Sequence, residues 1–300
     1  MINKLRNFLI LIRWFHELLA LFPFITLFLI INYELSLIPG HFEISTSHFM
    51  LVCLGVQALM IPNFILNDIV DAPIDKINKP TTHIVGRVIS LKRAKALFWI
   101  FSGIAFLLSV YISMYIFIEW SVISFCVFSL SIAYNLVLKR SPLFGNITIA
   151  LLAAFVPLVL MFFLKESLAL INNERLYVLI YIYSLLLLLI TIPRELSLDI
   201  SDIEGDKANG CKTLPILIGE KKSKIVVTLF MFFVLILSIL TMIFYPYLAS
   251  TFIIMDLFYI YFMIKLWKNK QRKEYIINGR IIWGAMIFGL VGSTIATMLL

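Results

Sequence analysis

Long apolar runs separated by short polar stretches dominate this chain. Nine of them are long enough to cross a bilayer, at residues 15–33, 49–67, 97–117, 120–138, 146–164, 177–195, 225–244, 248–266 and 281–299. A hydrocarbon core of roughly 30 Å takes about 20 apolar residues as a helix. Only helices and closed barrels satisfy their backbone polar groups in lipid, and runs of this length mean helices. The runs at 97–117 and 120–138 nearly abut, so a tight turn near Glu119 must join them. Pro62 and Pro157 fall inside runs, where kinks are expected. The pattern predicts an all-α, polytopic membrane protein formed by a single domain over residues 1–300.

Composition agrees with that pattern. Of the 300 residues, 62% are hydrophobic, far more than a soluble domain of this size requires. The net charge of +8 would suggest a nucleic-acid partner in a soluble protein. Here the basic residues follow the topology instead, and no nucleic-acid partner is expected. With the N-terminus in the cytoplasm, all but Lys165 and Arg175 of the 25 Lys and Arg lie on one side. The positive-inside rule then makes the N-terminus and the long polar connections cytoplasmic and places the C-terminus outside. The expected location is a cell inner membrane. The basic N-terminal start has no small-residue cleavage pattern after it, which reads as a retained first helix. Cys53, Cys126 and Cys211 are isolated and form no disulfide or zinc framework.

Acidic residues are scarce, yet six of the 17 Asp and Glu form two sets of identical spacing. The first is Asn67-Asp68-x-x-Asp71-x-x-x-Asp75 and the second is Asp199-x-x-Asp202-x-x-x-Asp206. Each begins a long connection, 68–96 or 196–224, after an even-numbered span, which looks like a pseudo-repeat. Steps of three and four keep side chains on one helical face. Three carboxylates on one face repel each other unless a cation lies among them, and the macrodipole disfavours them at a helix C-terminus. Hard divalent ions suit such oxygen sets, and Mg²⁺ commonly bridges one or two carboxylates to a phosphate. Two sets suggest a clamp on one diphosphate. A transporter would carry its acidic residues nearer the midplane of broken helices. A lipid-binding scaffold would explain the basic connections but not two matched triads.

These motifs resemble a known family. The first set continues as Lys76-Ile77-Asn78-Lys79-Pro80. The second lies within Arg194-Glu195-x-x-x-Asp199-Ile-x-Asp202-x-Glu204-Gly205-Asp206-Lys207 and runs on to Thr213-Leu214-Pro215. Between them come Tyr134, Lys139 and Arg140, with Gly145-Asn146 just beyond. In this order the three motifs are similar to those of the UbiA superfamily of intramembrane prenyltransferases. The resemblance covers essentially the whole chain and implies a nine-helix bundle around a central cavity, with a cytoplasmic cap. It implies that Asp68, Asp71 and Asp75, with Asn67, hold one Mg²⁺ and that Asp199, Asp202 and Asp206 hold a second. Both ions would grip the diphosphate of a polyprenyl donor. Lys139, helped by Tyr134, would contact that diphosphate. Asp71, Asp202 and Lys139 would carry the catalysis. Asn78, Arg87, Arg140, Asn146, Arg194 and Lys207 would contribute to substrate binding.

The wording of the second motif is closest to the branch containing digeranylgeranylglyceryl phosphate synthases and homogentisate prenyltransferases. That implies transfer of a geranylgeranyl group to the hydroxyl of a prenylated glyceryl phosphate, giving an ether lipid. The alternative is C-prenylation of an aromatic acceptor of the 4-hydroxybenzoate or homogentisate type. One departure stands out. Where the family often has an arginine after Asn-Lys-Pro, this chain has Thr81-Thr82-His83, with Arg87 the nearest substitute. His83 reads either as a general base or as a solvated loop histidine. Arg13, His16 and Glu17 near the first span are functional candidates or snorkelling charges. Asp256 lies within the eighth span, where an interhelical hydrogen bond is expected. Arg194 and Glu195 are either a structural pair or a device that orients the acceptor.

Overall fold

A computed structural model of the chain describes residues 2–38, 44–171 and 174–299. The side chains of 2–5, 15–20, 22–23, 170, 175–176 and 297–298 lie outside that description, and His16, Glu17 and Arg175 are among them. In chain order the helices are α1 (Ile2–Leu11), α2 (Trp14–Ser36), α3 (Thr46–Val70), α4 (Ala72–Asn78), α5 (Leu91–Tyr115), α6 (Trp120–Leu136) and α7 (Phe144–Phe163). They continue as α8 (Lys165–Ile171), α9 (Glu174–Ser201), α10 (Ile203–Ala208), α11 (Leu214–Ile218), α12 (Glu220–Phe244), α13 (Ala249–Lys268) and α14 (Arg272–Met298). Eight helices among the described residues are long and apolar enough to cross a membrane. The remaining expected span, 15–33, falls in α2, whose described apolar part is the shorter segment Phe24–Ser36. Pro62 and Pro157 stay inside the continuous helices α3 and α7.

The helix ends follow local chemistry. Ser45 opens α3 by accepting the His48 N–H at 3.3 Å, and Ser90 opens α5 by accepting the Arg93 N–H at 3.4 Å. A side-chain acceptor in this position satisfies one of the four N–H groups left over at a helix start. At α14 the Glu274 carboxylate accepts from the backbone N–H of Gln271 at 2.9 Å and of Lys270 at 2.7 Å, closing a capping box. The chain turns between α5 and α6 over residues 116–119, where the abutting runs require it.

The molecule divides into two compact units. The first comprises Met1–Leu21, Ile44–Arg140 and Glu204–Cys211. Within it α3 packs along α5 and α6. Gly55 makes the α3–α6 approach possible, because a Cβ there would sit 2.8 Å from the fully buried Trp120 ring and 2.5 Å from Ile112. A Gly55→Val substitution is therefore expected to destabilise the protein by roughly 1–3 kcal/mol through overpacking. The check is a lowered midpoint in a thermal unfolding series in detergent, with Gly103→Val as the control, since a Cβ at Gly103 meets nothing within 4 Å. A buried cluster of Leu11, Ile65, Ile84, Val85 and Ala94 ties the last turns of α3 to the loop before α5.

The second unit comprises Phe22–Glu43, Ser141–Ile203 and Lys212–Leu300. In it α9 packs against α7, α12 and α14, and α13 packs against α12 and α14. Ser238 on α12 donates to Asp256 Oδ2 on α13 at 2.8 Å. This is the interhelical hydrogen bond expected of a carboxylic group at membrane depth.

Candidate active site

Both aspartate sets sit where a long helix gives way to a short one. α3 ends at Val70 and α4 begins at Ala72, so Asp71, the middle aspartate, occupies the break. α9 ends at Ser201 and α10 begins at Ile203, so Asp202, again the middle one, occupies the second break. The helical repeat carries through the first break. Asp71 donates its N–H to Asn67 O at 2.8 Å, and Asp75 donates to Asp71 O at 2.7 Å. The second break is tighter, with Asp202 N–H reaching Asp199 O at 3.2 Å. Both breaks thus fall at the middle aspartate, with different backbone hydrogen bonding at the two. Pro73, at the start of α4, favours the first break because a proline N lacks the hydrogen a continuing helix would need.

In the first unit each aspartate of the first set meets a cation. Lys139 Nζ donates to Asp71 Oδ1 at 2.6 Å, and its side chain is 9% exposed against 21% for Asp71. Arg13 Nη2 donates to Asp68 Oδ1 at 3.1 Å and to Asn67 Oδ1 at 2.6 Å. Lys79 pairs with Asp75 at 2.9 Å. Arg13 lies at the break between α1 and α2 with a positive φ of 51°, a conformation that costs a non-glycine residue roughly 1 kcal/mol or more. Burial opposes the charge of its guanidinium, but the adjacent Asp68 carboxylate overrides that and holds it more firmly protonated than a free arginine. Asn67 is fixed from its other side, donating Nδ2 to Asn135 Oδ1 at 3.1 Å. Asn135 is fully buried and bonds in turn to Ser131 O at 3.0 Å and to the Asn63 side chain.

The tail of the second motif belongs to this same unit. The Gly205 N–H donates to Asn78 Oδ1 at 3.1 Å, joining α10 to the end of α4. A Cβ at residue 205 would overlap the Asn78 amide, which accounts for glycine there. The Cys211 thiol is pushed up, first by burial and then by the Asp206 carboxylate. Asp71 adds to that effect while Arg140 and Lys139 oppose it, so Asp206 and Cys211 share the electrostatic neighbourhood of the Asp71–Lys139 pair. Tyr134 is on α6, five residues before Lys139, and its hydroxyl bears on the charge of Arg13. Lys207 and Arg140 are exposed.

Arg87, the nearest substitute for the absent loop arginine, bonds within its own loop. Its Nε donates to His83 O at 2.9 Å and the side chain is exposed, so it closes its own loop. His83 is engaged in the same turn, with Nδ1 2.9 Å from Lys79 O.

In the second unit Asn146 Nδ2 donates to Asp199 Oδ2 at 2.8 Å. Arg272, at the start of α14, donates Nε to Asp202 Oδ1 at 2.6 Å, and its Nη2 lies 3.5 Å from Oδ2. Ser201 Oγ donates to the same Oδ1 at 3.1 Å. Arg194 pairs with Glu195 and lies over the Trp283 ring, 4.8 Å from its centroid. In the sequence Arg272 is one basic residue among several in its connection, and nothing singles out Asn135 or Trp283. Nothing in the spacing of α14 relative to the second motif reports the Arg272–Asp202 contact.

Among the described residues no three His, Cys, Asp or Glu side chains converge as around an ion. The donor groups in both triads are oxygens throughout, the set hard divalent ions take. By donor type these residues suit a divalent ion, which would share the carboxylates with Arg13, Lys79, Lys139 and Arg272.

Comparison with known proteins follows the same line. The family described as the UbiA prenyltransferase family matches residues 13–297. A digeranylgeranylglyceryl phosphate synthase from Pyrococcus furiosus is 34% identical over 174 residues, covering 58% of each chain. The chain thus spans 58% of the length of that relative. The corresponding synthase from Methanococcoides burtonii is 30% identical over 242 residues, covering 75% of this chain and 76% of its own. Among solved structures, one of a digeranylgeranylglyceryl phosphate synthase superposes with a TM-score of 0.63 at 27% identity, over 99% of this chain and 100% of that one. A UbiA homologue from Archaeoglobus fulgidus bound to GPP and Mg²⁺ shares the fold, with a TM-score of 0.63 at 17% identity over 95% of this chain and 99% of its own.

Proposed function

This chain belongs to the UbiA prenyltransferase family, and from that premise we propose that it transfers a geranylgeranyl group from its allylic diphosphate to the hydroxyl of geranylgeranylglyceryl phosphate. The products are an ether lipid and free diphosphate. The observation that carries the donor half is the repeated helix break, with an aspartate in each break held by a cation, Lys139 on Asp71 and Arg272 on Asp202. The acceptor is argued from the archaeal relatives, which are named for this reaction. Arg194, a permanently charged guanidinium backed by Trp283, is the residue we assign to the acceptor phosphate.

Asp68, Asp71 and Asp75 would hold one Mg²⁺, with Asn67, and Asp199, Asp202 and Asp206 the second. Bound there, Mg²⁺ supplies the charge neutralisation that lets diphosphate leave. The chain's own residues do the rest. Lys139 is nearly buried, so its ammonium acts through little intervening water and bears strongly on a neighbouring anion. Arg13 brings a second permanent cation to Asn67 and Asp68. Tyr134 and Asn78 complete the donor side, with Arg140 and Lys207 at its exposed edge. The allylic carbocation requires a dry surrounding, because water would capture it. The basic connections support a cell inner membrane with the N-terminus and both triads on its cytoplasmic face and the C-terminus outside.

The test is a product assay in purified membranes. Labelled geranylgeranyl diphosphate with Mg²⁺ is offered with geranylgeranylglyceryl phosphate, 4-hydroxybenzoate or homogentisate in parallel. The expected result is an ether lipid with the first acceptor alone, lost on adding a chelator. A prenylated aromatic would move the protein to quinone chemistry and keep the donor half. No chelator-sensitive product with any acceptor would defeat the reading as a whole.

A further inference from the structure

In the second unit residues 269–271 join α13 to α14, and side chains of α12 and α14 hold the backbone of that connection. Lys224, on the first turns of α12, donates Nζ to the Asn269 carbonyl at 3.0 Å and to Glu220 Oε1 at 2.7 Å. Tyr275, in the first turn of α14, brings its hydroxyl to 2.8 Å from Glu220 Oε1 and 3.1 Å from Asn269 O, with one proton to offer the two. The Lys224 ammonium lies over the Tyr275 ring, 5.3 Å from its centroid. The Glu274 carboxylate takes the N–H groups of Lys270 and Gln271. The residue that follows is Arg272, whose guanidinium meets Asp202.

Lys270 and Gln271 are exposed, so water could serve the polar groups of this connection. Instead a lysine whose side chain is 8% exposed is taken out of water to do so, beside a tyrosine that is 2% exposed. Desolvating an ammonium is costly unless its protons are engaged in good geometry. What such an arrangement gives is a fixed backbone, and the residue next along that backbone has little slack. Arg272 Nε stands 2.6 Å from Asp202 Oδ1, but Nη2 stands 3.5 Å from Oδ2, at the limit of a hydrogen bond. A small displacement of the α14 start would break the second contact and loosen the first. Groups that must be held in one geometry are commonly fixed by a further layer of buried hydrogen bonds.

We propose that Lys224 and Tyr275 are positioning residues for prenyl transfer, fixing the start of α14 so that Arg272 holds Asp202. The inference rests on the reading of Asp202 as a carboxylate of the diphosphate site. Both residues act through the 269–271 backbone and Arg272 rather than on the reacting atoms. A purely structural clamp makes a different forecast. Its loss would lower the unfolding midpoint and leave Arg272 and diphosphate binding unaltered in every folded molecule.

The experiment uses the full-length protein in detergent and two variants, Tyr275→Phe and Lys224→Met. Phenylglyoxal modifies accessible guanidinium groups, so its rate at Arg272 reads how firmly that residue is held. The rate is taken by peptide mass spectrometry against the exposed Arg93 as internal reference, with Asp202→Asn calibrating full release. Both variants should raise the Arg272 rate roughly three- to tenfold, the scale of one hydrogen bond. Affinity for inorganic diphosphate with Mg²⁺ should weaken by a similar factor in Tyr275→Phe, but not once Arg272 is replaced. The Arg272→Met/Tyr275→Phe double variant should therefore bind as Arg272→Met does. Parent-like Arg272 reactivity in either folded variant would overturn the proposal, and so would additive losses in the double variant. Absence of diphosphate binding by the parent would defeat the proposed function instead, and the Arg272 rate would still decide the clamp. Tyr275→Phe keeps the ring beneath Lys224, so a Lys224→Met protein that fails to fold does not remove the test.

Discussion

Asp71→Ala is expected to abolish prenyl transfer, with kcat/KM falling by at least roughly 10³, the scale on which removing one electrostatic stabiliser of a charged transition state registers. Asp202→Ala should do the same. Each substitution removes the aspartate at a helix break and takes an oxygen ligand from the proposed Mg²⁺ site. The alanine variant also leaves Lys139 nearly buried without its partner, so some loss of stability is expected from an uncompensated charge. Asp71→Asn separates the two effects. It keeps the shape and one hydrogen-bond acceptor for Lys139 but lacks the anionic charge a divalent ion needs. Activity, membrane insertion and thermal unfolding are measured on all three variants. A well-inserted Asp71→Asn protein with activity within tenfold of the parent would sink the metal assignment. A scaffold reading predicts that insertion and lipid binding stay intact and that there is no activity to lose.

Much of this was legible in the sequence because membrane chemistry leaves few alternatives. Apolar runs of helical length cannot be strands or loops in lipid, so eight of the expected spans reappear as α3, α5, α6, α7, α9, α12, α13 and α14 with shifted ends. The shifts have a cause. Spans were bounded by where apolar character stops, whereas helices run on until backbone hydrogen bonding stops, which is why α9 extends through Asp199 to Ser201. The aspartate spacing also announced itself, since carboxylates are rare in such a chain. Partners distant in sequence were not legible. Arg272 meets Asp202 across 70 residues, and Asn135 meets Asn67 across 68. Such contacts are set by how helices pack, and a basic residue in a basic loop carries no mark of which carboxylate it will find. Arg87 shows the same limit, since its contact with His83 O is not something its distance from Asn-Lys-Pro reports.

Lys139 should prove the chain's most important cation for catalysis. Lys139→Met is expected to lower kcat by roughly 10²–10³, since a preorganised charge beside a leaving anion is worth that much in a water-poor site. A purely structural role, pairing with Asp71 and nothing more, makes a different forecast. In that case Asp71 would be left without its cation, stability would fall, and the rate per folded molecule would change little. Two readouts separate the cases. The first is the midpoint of thermal unfolding, which a diphosphate role leaves nearly unchanged once Mg²⁺ is present to neutralise Asp71. The second is the affinity for inorganic diphosphate with Mg²⁺, measured by titration in detergent, which should weaken roughly tenfold or more with loss of one charge-assisted contact. Lys139→Arg refines the answer, because it keeps the charge but replaces a compact ammonium with a planar fork. It should retain diphosphate affinity better than methionine does and still lose rate, because the guanidinium cannot occupy the position where Nζ stands 2.6 Å from Asp71. Unchanged diphosphate binding in Lys139→Met, together with a lowered unfolding midpoint, would confine Lys139 to holding the first helix break in place.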